Sequence, residues 1–163
     1  MNYIGIDNGL DGGIVVLRDD GSILHKEAMP TLKVGKGREI DTFRVQTILK
    51  EFPGTVIIEP AQKFSPGKMA LCSTWFSFGI VLTVSKLTGR RFELINPPKW
   101  QKAFWTRPKM PKGQKFDTKA AALAAAGRLW PAENWLKNQR CTTPHDGIID
   151  AALIAEYARR ANL

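Results

Sequence analysis

Tyr3-Ile4-Gly5-Ile6-Asp7-Asn8-Gly9 opens the chain as a short apolar run that ends in a carboxylate and passes into turn residues. Val56-Ile57-Ile58-Glu59-Pro60 has the same form, a continuous apolar run suited to a strand buried on both faces, and it too stops at an acid. Open α/β sheets hold their ligands at the carboxyl ends of the strands. A carboxylate on a largely buried strand is costly unless something positive accompanies it, and two at one sheet edge repel until a cation relieves them. The third acidic element is His145-Asp146-Gly147-Ile148-Ile149-Asp150-Ala151, in which Asp146 and Asp150 lie four apart and share one helical face. Like charges at that spacing destabilise an isolated helix, yet these interrupt an otherwise apolar stretch. Packing this helix against the strand ends would gather Asp7, Glu59, Asp146 and Asp150. Oxygen donors with few soft ligands favour Mg²⁺ or Mn²⁺ over zinc, and such a cluster suits two-ion phosphodiester hydrolysis.

Each acid also has a structural reading. Asp7 before Asn8-Gly9 would open a turn, and Glu59 before Pro60 would be a solvated strand terminus. Thr143-Pro144-His145-Asp146 fits a capping box with proline at the first helical position, which would make Asp146 a cap. Asp150, in mid-helix, is hardest to explain this way.

Working outward, turn residues at 8–13 and 19–22 separate runs at 2–7, 14–17 and 23–28, which predicts a three-stranded antiparallel meander. A glycine- and lysine-bearing loop is expected at 33–37. A helix follows with Asp41 as N-cap and Phe43, Val45, Ile48, Leu49 and Phe52 on one face, stopped by Pro53-Gly54. Beyond the strand at 55–58, a strongly apolar helix is expected at 68–87, a last strand at 91–95 closed by Asn96-Pro97-Pro98, and helices at 120–129 and 144–161. The order β-β-β-α-β-α-β-α-α predicts one α/β domain over 1–163, with a mixed five-stranded sheet flanked by helices.

The composition agrees with that class. Of 163 residues, 44% are hydrophobic, enough for a core. A net charge of +9 suggests a polyanionic partner, nucleic acid first. The most apolar window, 75–84, is about half the roughly 20 residues a membrane span requires, so no membrane is expected. The N-terminus carries no basic leader before its first strand, and Cys72 and Cys141 form no metal or disulfide pattern. An intracellular, soluble protein is the expectation.

Ile4-Gly5-Ile6-Asp7-Asn8-Gly9, Ile57-Ile58-Glu59 and His145-Asp146-Gly147-Ile148-Ile149-Asp150-Ala151 together resemble the three acidic motifs of RuvC-type Holliday-junction resolvases, which have the ribonuclease H-like fold. The resemblance spans nearly the whole chain. It implies a homodimeric, Mg²⁺-dependent endonuclease that makes paired nicks in four-way junction DNA, with two ions held by Asp7, Glu59, Asp146 and Asp150 and Mn²⁺ able to substitute. The bacterial pattern usually spaces its last two motif positions three apart. Here they are four apart, which looks similar to the plastid resolvase branch.

Between 99 and 119 stand Lys99, Lys102, Arg107, Lys109, Lys112, Lys115 and Lys119, with Trp100, Phe104, Trp105 and Phe116 interleaved. Cations neutralise phosphates and aromatic faces stack on exposed bases, although such tryptophans also serve as core anchors. A second basic loop after Glu59 carries Lys63, Phe64 and Lys68. The resemblance implies that Phe64 enters the junction and that the apolar helix 69–87 mediates dimerisation; packing within the monomer is the alternative for both. Lys115 or Lys119 would place a cation near the scissile phosphate. His145 would assist water activation or contact phosphate, or else be a surface imidazole.

Three other functions share parts of this pattern. A sugar-kinase or actin-like ATPase shares the Ile-Gly-Ile-Asp-x-Gly opening but needs two lobes and a second phosphate loop, for which 163 residues leave no room. A non-catalytic junction-binding protein would lack a motif acid, and none is missing. A ribonuclease acting on RNA–DNA hybrids is the main alternative; the paired basic-aromatic loops and the apolar helix count against it.

Overall fold

β1 (Asn2–Asp7), β2 (Gly13–Arg18) and β3 (Ile23–Ala28) form the antiparallel meander expected from the turns between them. The computed structural model describes residues 1–62 and 67–163. After β3 come a small hairpin of β4 (Thr31–Val34) and β5 (Gly37–Ile40), then α1 (Thr42–Glu51) and β6 (Thr55–Ile58). The chain continues through α2 (Lys68–Leu87), β7 (Phe92–Leu94), α3 (Pro97–Gln101), α4 (Thr118–Leu129) and α5 (Asp146–Ala161). β6 runs parallel to β1 and β7 parallel to β6, so the sheet reads β3-β2-β1-β6-β7. This is the ribonuclease H-like arrangement: three antiparallel strands, then two parallel ones, with helices on both faces.

Strand alternation sorts the core into two halves. Tyr3, Val15, Leu17 and Ile57 pack with α4 and α5, whereas Ile4, Ile6, Ile14, Val16, Val56 and Ile58 pack with α1 and α2. The side chains of Asp7 and Glu59 follow Tyr3 and Ile57 at even spacing, so alternation directs them to the α5 side. α5 is nearly all buried from Gly147 to Glu156, as befits a helix laid across the middle of a sheet.

Several expectations need correction. The stretch at 33–37 is not an open loop but the tip of the β4–β5 hairpin, turned through Gly35 at φ 58°. Its strands are only four residues each and largely exposed, Leu32 and Val34 included, so the brief alternation of β4 marks no core-facing side. Phe43 does not join the buried face of α1; it is 78% exposed, while Val45, Ile48 and Leu49 are buried. Asn96-Pro97-Pro98 does more than close a strand, because the prolines begin α3. α5 starts at Asp146 and is capped by His145, whose Nδ1 accepts from the Ile148 N–H at 3.3 Å; Thr143 plays no part, and Pro144 lies outside the helix. Finally, α2 is a full 20 residues and apolar enough by length and composition to cross a bilayer, contrary to the short window expected. Its inner residues Ser77, Phe78, Val81, Val84 and Ser85 are instead buried against the sheet and α1. Both cysteines are free thiols.

Candidate functional site

Backbone contacts bring the acid-bearing segments to one end of the sheet. The Glu59 N–H donates to the Ile6 carbonyl at 3.1 Å, which extends the β1–β6 ladder and sets Asp7 and Glu59 side by side beyond it. The Asn8 side-chain amide donates to the Glu59 carbonyl, tying the two strand exits together. α5 then lies directly on the strands. A Cβ built on Gly5 would stand 2.0 Å from the Ala151 carbonyl oxygen, and one on Gly147 would stand 2.4 Å from the Asp11 carbonyl oxygen and the Gly12 Cα. Glycine at both positions lets helix and sheet approach at backbone distance, and that approach carries Asp146 and Asp150 to the strand ends.

The electrostatics report the crowding. Burial, together with the nearby charges of Asp11 and Asp146, lifts Asp7 to about 6 against the pull of a Gly9 backbone hydrogen bond. Glu59 rises to about 7 through burial and the Asp7 charge, opposed by a hydrogen bond that the Trp100 indole N–H donates to Oε2 at 2.8 Å. Asp150 rises to about 8, from burial first and then from Asp7, Glu59 and Asp146, with Lys119 pulling the other way. Lys119 Nζ lies 2.5 Å from Asp146 Oδ2, and this pairing raises the lysine pKa further.

The four acids divide between two neighbouring hollows. Asp7 and Glu59 line one, of about 220 Å³, together with Asn8, Gln62, Leu71 and Thr74. Asp146 and Asp150 line the other, between α4 and α5, together with Gln101, Thr118 and Lys119. Among the described residues, no three His, Cys, Asp or Glu side chains close around a single point. Asp146 is paired with Lys119, and Glu59 accepts from Trp100. In chemistry the set fits a hard divalent cation: its donors are carboxylate oxygens, and their mutual repulsion at depth is what a cation relieves.

Lys68, Lys99, Lys102, Lys109, Lys112 and Lys115 are exposed, and of the basic residues singled out in the sequence only Lys119 pairs with one of the acids among the described residues. Arg107 is exposed too, and its Nη2 donates to Gln101 Oε1 at 2.6 Å, linking the basic segment to the hollow that holds Asp146 and Asp150. Lys63 and Phe64 lie outside the described residues. The aromatic residues of the segment serve largely as anchors. Trp100 is 1% exposed, Trp105 meets it edge-on at 5.6 Å, and Phe104 packs on the core beneath the Arg160 guanidinium. Trp100 is therefore unavailable to stack on a base. His145 is partly buried, and burial and Lys137 lower its pKa. Its Nδ1 is engaged in the helix cap.

Trp100 and Gln101 are site residues that sequence reasoning missed. The available signal was Pro97-Pro98, which starts a helix immediately beyond β7 and so points its last turn at the strand ends. On the far side of the sheet, Met69, Trp75, Phe76 and Leu87 of α2 and Phe43 of α1 are exposed, and most of them line a cavity of about 600 Å³ between the two helices.

No protein-family model matches the chain, and no curated protein matches it in sequence. Solved structures do match. The Thermus thermophilus RuvC structure superposes with a TM-score of 0.66 at 19% identity, covering 99% of this chain and 97% of that one. T. thermophilus RuvC in complex with Holliday junction substrate gives 0.65 at 18% identity, over 99% of this chain and 96% of that one. The chain has the RuvC fold from end to end.

Proposed function

We propose that this chain, built on the RuvC fold, is a structure-selective DNA endonuclease that resolves four-way junctions by paired symmetric nicks. The single observation that carries the reading is the joining of Asp7, Glu59, Asp146 and Asp150 into one electrostatically coupled group at the strand ends of a protein of net charge +9. The four acids would hold two Mg²⁺ ions, with Mn²⁺ able to replace them; when bound, such ions supply an activated water and stabilise the departing 3′ oxygen. Lys119, within reach of Asp146, would then turn to the scissile phosphate. His145 at the start of α5 would orient the phosphate or the attacking water.

Lys68, Lys99, Lys102, Arg107, Lys109, Lys112 and Lys115 would neutralise backbone phosphates, which makes binding fall steeply with salt. Phe64, with Lys63, would enter the junction. The exposed apolar residues of α2 support a homodimer: two copies would cover Trp75 and Phe76, and two active sites would account for paired nicks.

The deciding experiment incubates the chain and Mg²⁺ with a labelled four-way junction, a linear duplex of the same sequence and an RNA–DNA hybrid. Symmetric nicks in the junction alone are expected, lost in Asp7→Asn while junction binding persists. Cleavage of the hybrid instead assigns the chain to the ribonucleases, and binding without cleavage to a non-catalytic junction protein.

A further inference from the structure

We infer that Trp100 is a positioning residue for Glu59, holding carboxylate oxygen Oε2 so that the group meets a cation through Oε1. The inference rests on the proposed role of Glu59 as a cation ligand. Trp100 is 1% exposed, and its Nε1 stands 2.8 Å from Glu59 Oε2. A buried indole N–H needs an acceptor, and a half-buried carboxylate gains from a donor; here each serves the other. The indole can donate but not accept, so it can neither ligate a metal nor take a proton. Its effects on the carboxylate are to fix one oxygen and the plane of the group and, as a donor, to favour the charged form that binds a cation.

The indole is itself tightly held. The Ile95 N–H donates to the Ile58 carbonyl at 3.1 Å, which pins the chain leading into α3 beside the residue that precedes Glu59. Pro97 and Pro98 stiffen the first turn of α3, and the Trp105 ring stands edge-on at 5.6 Å and 87°. A rigid donor aimed at a ligand oxygen is the arrangement by which outer groups orient metal ligands, and losing one typically costs about 10–100-fold in metal affinity.

The test replaces Trp100 in the full chain with 3-benzothienylalanine, which puts sulfur in place of N–H at nearly the same volume, and separately with Phe. Mn²⁺ binding is followed by calorimetry and by the Mn²⁺ electron paramagnetic resonance signal, and folding by far-ultraviolet circular dichroism. The expected result is an unchanged spectrum with Mn²⁺ affinity lowered about tenfold or more. In an E59Q background the same replacement should leave Mn²⁺ affinity unmoved, because Trp100 acts through that carboxylate. Wild-type affinity in the benzothienyl variant, or an equal loss in the E59Q background, overturns the inference while leaving Glu59 a ligand. A wild-type chain that binds no Mn²⁺ overturns the ligand role itself, and the inference with it.

Discussion

Lys119, the second residue of α4, pairs with Asp146, the first residue of α5, at 2.5 Å. The lysine is largely exposed and the aspartate about half so, which makes the pair a weak latch rather than a structural strut. It keeps a positive charge beside an acid cluster that otherwise has to bear its own repulsion. A cation entering the cluster competes with the ammonium for Asp146.

Lys119→Met should therefore separate two effects. Removing the competitor should tighten Mn²⁺ binding several-fold, measured by titration calorimetry. Junction cleavage should fall by about 10²-fold if Lys119 has its proposed role as a charge-stabilising donor to the phosphate. Weaker Mn²⁺ binding would mean that Lys119 supports the cluster instead of competing for it.

The coupled acids also set a pH dependence. Asp7, Glu59 and Asp150 titrate near 6, 7 and 8 in the folded chain, all above their ordinary carboxylate values. Between about pH 4 and pH 8 the folded state thus binds more protons than the unfolded, and stability without metal falls as the pH rises. Asp150→Asn should raise the melting temperature at pH 8 by roughly 4 °C, reflecting about 1–2 kcal/mol, and change it little at pH 4. Calorimetric scans across this range check the slope. Added Mg²⁺ should raise the pH 8 melting temperature of the unsubstituted chain and do so far less in the variant.

Backbone contact between α5 and β1 gives a third prediction. Gly5→Ala places a methyl group against the Ala151 carbonyl, where no flexible side chain can yield. Urea denaturation should show a loss of about 2 kcal/mol or more, or failure to fold. Gly127→Ala in α4 meets open space and should stabilise by about 0.5–1 kcal/mol.

The exposed aromatic face of α2 gives a fourth. Phe76 is 60% exposed beside Trp75. Light scattering after gel filtration should show a dimer for the unsubstituted chain and a monomer for Phe76→Glu, with the circular dichroism spectrum retained.

The legible parts of this molecule share a property: their signals are local. Asn8-Gly9 and Asp20-Gly21 mark tight turns wherever they occur, so β1, β2 and β3 could be drawn directly. Val56-Ile57-Ile58, short and β-branched, suits a buried strand and is one. What escaped notice was polar or set by partners. The β4–β5 hairpin has strands of four residues and leaves Leu32 and Val34 in solvent, Phe43 follows the helical period yet is exposed, and the cap of α5 fell to His145, whose side chain accepts from the Ile148 N–H.

The acids themselves, their places at strand ends and on one helical face, and the net charge of +9 are properties of the amino-acid order, since period and composition alone decide them. Tertiary structure decided how they meet. Glycine at 5 and 147 permits backbone contact between α5 and the sheet, and that contact is a matter of space between segments far apart in the chain. It also decided that Trp100 turns inward onto Glu59 and not outward to solvent, because a buried N–H is costly until paired and the half-buried carboxylate supplies the acceptor.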